Sequence, residues 1–335
     1  MKRFLLFNVV LALSVLIGQS VFAIGLSGPC ASISSAQRDD EKNELYRKLI
    51  LLIRSSNAGD QKRGYELCKE YLQKFGGDKD EFTTHISRWV EEYEKASRPF
   101  QFSAYISQKR LKEAFDVGEQ ILAEQDDNKL KLSIMIRLAF AGYDASVRDK
   151  NAQFESDALT YAKDALREID AGTVATSWSP FKDKTETQAW MNYVAGVMLF
   201  KKSESEATPF FYKAVQFDSS VKRASYSYYA IAFFYEKKYE VAAKEYETKY
   251  GAQTTETPES RADRERLNSL LDRMIDAYAR AIKCAEAEPA SQQNRIGWRE
   301  RASVLYKFRK GAADGLDALI NNAISKPMPD PATPW

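Results

Sequence analysis

Cysteine, histidine and the backbone breakers are all scarce in this chain. Its 335 residues include 3 Cys, 1 His, 10 Pro and 15 Gly. A single histidine, His85, leaves no second imidazole for a His-based zinc site, and any Ser-His pair would rest on it alone. Cys30, Cys68 and Cys284 lie too far apart for metal-ligand spacing, and an odd number leaves at least one outside any disulfide. No glycine-rich phosphate loop is present, because Gly76-Gly77 runs into Asp78-Lys79-Asp80, which is turn chemistry. Net charge is almost absent too, with 49 basic and 47 acidic residues and a balance of +2. That balance lacks the basic surplus a phosphate backbone demands, so nucleic acid is not an expected partner.

The carboxylates that are plentiful do not assemble into an acid/base pair. The visible doublets are Glu91-Glu92, on an expected helix surface, and Asp126-Asp127, in a turn. Both read as solvation and capping rather than glycosidase chemistry. No catalytic residue, cofactor or metal is therefore expected, and the chain reads as a non-enzyme.

The N-terminus reads as a secretory signal. Lys2 and Arg3 open it, Phe4 to Ile17 is apolar apart from Asn8 and Ser14, and Val21-Phe22-Ala23 offers a small-x-small cleavage site. A retained anchor is the competing reading, but the apolar run falls short of the roughly 20 residues a span needs. No later segment is apolar enough to cross a bilayer, so no membrane span is expected in the mature chain. Cys30 follows Ser27-Gly28-Pro29 and suggests a lipid-modified cysteine, although Pro directly before it fits that signal poorly. Cys68 and Cys284 fall on apolar helix faces and read as buried, unreactive thiols.

Few Pro and Gly over such a length favour helices. Residues 24–38 are small and polar and read as a flexible lead-in. From Asp39 the apolar period is helical. Leu45, Leu49, Leu52 and Ile53 form one stripe, Asn57-Ala58-Gly59-Asp60 breaks it, and Tyr65, Cys68, Tyr71, Leu72 and Phe75 form the next. Related helices carry Ala114 with Ile121, then Ala158, Ala162 and Ala165, then Ala207, Phe211 and Ala214, then Ala242 and Tyr246. Their recurrence near a period of roughly 34 residues, with insertions, is the signature of stacked helix pairs.

In detail the pattern resembles the tetratricopeptide repeat. The best match is Tyr226, Tyr229-Ala230 and Phe233, then Lys237-Lys238-Tyr239 as a turn, then Ala242 and Tyr246. Met191, Val194-Ala195 and Met198 followed by Ala207, Phe211 and Ala214 match as the preceding unit, and Ala277, Ala281 and Pro289 as the end of a later one. The resemblance implies an all-α fold, a right-handed superhelix of antiparallel helix pairs. It spans 39–325 and holds roughly a dozen helices in which alanines admit close contact and rings fill the wedges. Three features depart from it: Pro99, which should kink or end its helix; a long loop over 171–186 with Trp178, Pro180 and Phe181; and an unusually long helix over 259–286. Residues 326–335 read as a separate Pro-rich, non-helical tail.

Such arrays expose a concave groove, and the resemblance places Asn192, Gly196 and Leu199, then Ser227, Ile231 and Phe234, along it. Asn192 fits one position of the Lys/Asn/Arg clamp by which some relatives grip a terminal carboxylate; Ser227 and Ile231 do not. The aromatic run from Tyr226 to Tyr235 reads first as packing between repeats, with Tyr228 and Phe234 as candidate exposed anchors. Trp178 is a second candidate, or else folds down onto the helices. The expected function is a non-catalytic scaffold or assembly factor, exported to the periplasm or secreted from a bacterium, holding a protein or peptide. The alternatives are a helical array that binds or processes a small molecule or glycan, and a structural lipoprotein tethered at Cys30. Mass spectrometry of the protein from its native host checks the leader: the mature chain is expected to begin at Ile24, whereas an intact Met1 or a lipidated Cys30 contradicts it.

Overall fold

The computed structural model describes residues 35–335, so the expected leader and Cys30 lie outside the described residues. Within them the chain forms twelve α-helices and no strand. These are α1 (Ser35–Ile53), α2 (Ala58–Phe75), α3 (Glu81–Ser107), α4 (Leu111–Glu124), α5 (Asn128–Val147) and α6 (Glu155–Asp170). There follow α7 (Lys184–Phe200), α8 (Glu204–Gln216), α9 (Ser225–Tyr250), α10 (Pro258–Ala285), α11 (Gln292–Lys310) and α12 (Leu316–Asn322). α1 starts at Ser35, ahead of the expected Asp39, so the end of the polar lead-in is helical. No helix among the described residues is long and apolar enough to cross a membrane.

The chain divides into two compact units, one up to Arg98 and one from Pro99. In the first, α1 and α2 pack together around Leu49, Ile53, Cys68, Tyr71, Phe75 and Ile86. Asn57 starts α2 by accepting hydrogen bonds from the amides of Gly59 and Asp60, as its place in the expected turn suggests. Lys42, only 8% exposed, is held between Asp78 and Asp80, and this contact pulls the Asp80 carboxyl down to about 2. Pro99 does not stop α3, which runs unbroken to Ser107. The hydroxyls of Ser97 and Ser103 donate to the carbonyls of Tyr93 and Pro99 within this stretch.

In the second unit each helix from α4 to α11 packs on its neighbour in sequence, and α5 also touches α7. That arrangement is compatible with a helical solenoid. Polar side chains set the starts: Asp127 caps α5, Asp183 caps α7, Ser203 caps α8, and Thr257 with Ser260 forms a reciprocal capping box on α10. Ala158, Ala162, Ala165, Ala207 and Ala214 are all fully buried, as their spacing predicts. Two helices approach closely at Gly142 of α5, where an added Cβ would lie 2.8 Å from Ala158 Cβ and 3.0 Å from the Phe154 carbonyl oxygen.

Rings fill the spaces that these small residues leave. A continuous series of edge-on, tilted and stacked contacts runs through Phe140, Trp190, Tyr193, Phe211, Tyr226, Tyr229 and Trp298, with centroids 5.0 to 6.1 Å apart. It ties α5, α7, α8, α9 and α11 into one apolar body. The loop over 171–183 is pinned to α5, with the Thr176 amide donating to the Lys129 carbonyl and the Ser177 amide to Ser133 Oγ. Trp178 folds down onto the helices, half-buried, and Phe181 stacks on Trp190.

One expected unit does not exist. The segment that matches the repeat best, Tyr226 to Tyr246, is not a helix pair: Lys237-Lys238-Tyr239 lies inside α9, which continues for 26 residues. Nothing between Tyr226 and Tyr250 is a Gly or Pro, and Lys237 pairs with Glu240 along the helix surface, so the supposed turn carries helix-forming chemistry. The partner of α9 is the 28-residue α10.

Two glycines test the packing account with opposite signs. Gly142→Ala forces a methyl into Ala158 and is expected to destabilise the chain by about 1–3 kcal/mol. Gly297, in the exposed middle of α11, has nothing within 4 Å of its added Cβ, and Gly297→Ala is expected to stabilise by about 0.5–1 kcal/mol. Urea unfolding of both variants checks this, and equal effects contradict it.

Candidate functional site

The sequence expectation put six positions on α7 and α9 along a groove. Gly196, Leu199, Ser227 and Ile231 are interior instead, as is the candidate anchor Tyr228. Leu199 is 5% exposed, Tyr228 2%, and Ser227 and Ile231 are fully buried. The reason is the long α10, whose Leu270, Leu271 and Met274 share one apolar cluster with Tyr228 and Ile231. Gly196 faces the Phe211 ring of α8. Tyr228 donates its hydroxyl to the Lys222 carbonyl at 2.9 Å, and burial pushes its pKa well above the usual phenol value. It is a packing residue and not a surface anchor. Phe234 is half-buried with the Lys238 ammonium 5.7 Å above its ring. Trp178 is committed to the helices beneath it.

Asn192, though only 3% exposed, is the one of the six that borders a concave surface. It forms the floor of a groove of about 560 Å³ between α6, α7 and α8, with its side-chain amide donating to the Gln188 carbonyl at 2.8 Å. α6 contributes Lys163, Leu166, Arg167 and Asp170; α8 and its C-terminal cap contribute Phe210, Lys213 and Phe217. Both sets repeat at helical spacing of three and four, which places each on one stripe beside the buried stripe of its helix. The pattern is visible in the sequence, but the inward alanines drew attention to the neighbouring face.

The groove is basic with an apolar lining. Lys163 lies 5.6 Å above the Phe210 ring, and Arg167 pairs with Asp164 at 2.8 Å. Lys163 and Lys213 form no ion pair among the described residues, and Asp170 is the single acid in the lining. Such a surface suits a ligand that offers negative charge next to an apolar group.

Two carboxylates and two thiols serve the packing of the array. The Glu186 carboxylate, 8% exposed, accepts from the Trp190 indole at 3.1 Å and from the Ser220 amide and hydroxyl. Glu288 serves the Ser225 amide at 2.9 Å and the Ser225 and Ser291 hydroxyls in the same way. Cys68 and Cys284 are buried free thiols whose pKa values burial raises to about 12, so neither supplies a thiolate near neutrality. His85 stands exposed on α3. No group of three or more His, Cys, Asp or Glu among the described residues is placed to hold a metal.

No family model, curated protein or solved structure matches the chain.

A second surface was not anticipated. The tail expected to hang free is docked on α10. Arg280, 3% exposed, donates to the carbonyls of Lys326 and Pro327 while its Nε holds Asp276 at 2.7 Å. Arg273 donates to the carbonyls of Asp330, Thr333 and Pro334 and to the Thr333 hydroxyl. Met328 is buried, and Trp335 packs half-buried on the same apolar cluster. Composition alone gave no sign of this, because the arginines that receive the tail sit some fifty residues before it.

Proposed function

We propose that this chain is a non-catalytic interaction scaffold of the tetratricopeptide kind, a right-handed array of helix pairs exported from the cytoplasm. In this reading it holds a protein partner through an acidic, apolar-anchored segment. The observation that carries the reading is the groove between α6, α7 and α8. Its Phe210 and Phe217 rings offer apolar contact, Lys163 and Lys213 supply positive charge that no ion pair among the described residues balances, and Arg167, paired with Asp164, stands beside them. A helical floor with two rings along one side is a geometry in which a few anchors can carry most of a binding energy. The charge makes association sensitive to salt and steers acidic segments over basic ones.

The test uses a photocrosslinking amino acid at Phe217 in the native host, with the same substitution at the highly exposed Phe308 of α11 as control. A protein adduct specific to Phe217 is expected, with the attached segment acidic and apolar. Lys163→Glu with Lys213→Glu is expected to reduce its capture about tenfold, equivalent to about 1.4 kcal/mol, without lowering the melting temperature. Equal adducts at both sites, or a groove that instead retains a neutral glycan, contradicts the proposal.

A further inference from the structure

The docked C-terminus shows how the array holds a segment that is not a helix. Residues 326–335 contain four prolines, at 327, 329, 331 and 334. Proline removes amide donors and prevents helix, so the carbonyls of such a segment have few partners within it. A guanidinium carries five donors and no acceptor, which fits it to receive several carbonyls at once. α10 supplies two of them on one side. Together Arg273 and Arg280 donate to five tail carbonyls, a feature that every polypeptide shares.

The seat reads little else. Side-chain contact is made by Met328 and Pro331, both buried, by the half-buried Trp335, and by the Thr333 hydroxyl, which accepts from Arg273. Arg273 forms no ion pair among the described residues; its hydrogen bonds all go to the tail. Beside it lies the Tyr235 hydroxyl, fully buried in α9 and without a hydrogen-bond partner. Burial raises the Tyr235 pKa, with the Arg273 charge opposing that rise. Asp330 is close enough to act electrostatically on both Tyr235 of α9 and Tyr212 of α8, so the tail lies near all three helices. An arginine that pairs with no acid among the described residues and gives its donors to backbone carbonyls marks a surface suited to a segment rich in free carbonyls.

We infer that the α10 surface around Arg273 and Arg280 is a binding site for proline-rich, non-helical segments of other polypeptides, which residues 326–335 occupy in cis and yield by exchange. This site is separate from the basic groove and does not depend on what that groove binds. Its ligand class follows from the tail: carbonyls freed by proline, with an apolar side chain in the place of Met328 and a ring in the place of Trp335.

The probe is a fluorescein-labelled peptide with the sequence of residues 326–335, read by anisotropy against the full chain. In Met328→Glu a carboxylate replaces the buried thioether and expels the chain's own tail. That variant is expected to bind the probe at least tenfold more tightly than the unmodified chain, and adding Arg273→Ala is expected to reverse the gain. Arg273→Ala alone leaves the core untouched and is expected to speed hydrogen exchange of the tail amides while those of α10 stay protected. Three results overturn the proposal. One is a Met328→Glu chain that binds no better than the unmodified one. The second is a Met328→Glu chain that loses its cooperative thermal transition, which makes the tail a structural cap. The third is tail exchange unchanged by Arg273→Ala.

Discussion

The second unit depends on one geometric bargain between neighbouring helices. Buried alanines and Gly142 let backbones approach closely at some points, and rings fill the wider spaces that open between them. The two halves need each other. Without the small residues the helices would stand apart, and without the ring series from Phe140 to Trp298 the gaps would be voids that cost contact energy on every side. A single amphipathic helix pair cannot bury its face alone, so the arrangement holds only when neighbours stack. Aromatic side chains here are therefore mostly structural, which is why the aromatic-rich start of α9 contributes core and not a binding surface.

The same bargain explains what could be read from the sequence and what could not. Ala158, Ala162, Ala165, Ala207 and Ala214 announced buried contact lines because helix period and small size coincide there. Asn57 and Asp127 announced helix starts because their side chains compete for backbone amides. The false turn at Lys237-Lys238-Tyr239 came from matching a repeat pattern where local chemistry favoured helix; α9 follows the local chemistry and reaches its partner in α10. Ser227, Tyr228 and Ile231 were misplaced by the same frame, since a helix covered by α10 has no open face at those positions, and Leu199 of α7 is buried in the same apolar cluster. Asn192 borders a groove whose other residues, Lys163, Arg167, Lys213, Phe210 and Phe217 among them, come from helices on either side of it. Only the packing of α6 against α7 and α8 brings those stripes together. The docking of the tail was illegible for a related reason, since proline content predicts the absence of helix and says nothing about which arginines receive the carbonyls.

The two proposals would give one array two different ways of holding a chain. The groove beside Asn192 offers charge and rings, which would discriminate by side chain. The seat on α10 offers guanidinium donors to carbonyls, which would discriminate mainly by backbone conformation. Both are set on helices whose positions the ring series fixes, and rigid support of this kind lowers the ordering cost of binding. The carboxylates of the buried Glu186 and the half-buried Glu288 hold the turns before α9 and α11 in place through serine hydroxyls and amides.

The most direct test of this account is a double-mutant cycle in urea between Phe200 of α7 and Phe233 of α9, whose rings meet edge-on with centroids 5.7 Å apart. Each is changed to Leu, singly and together. If rings bind successive layers, the cycle gives a coupling of about 0.5–1.5 kcal/mol beyond the loss of buried area. Effects that add to within about 0.3 kcal/mol would show that the layers are held by something other than the contact between their rings.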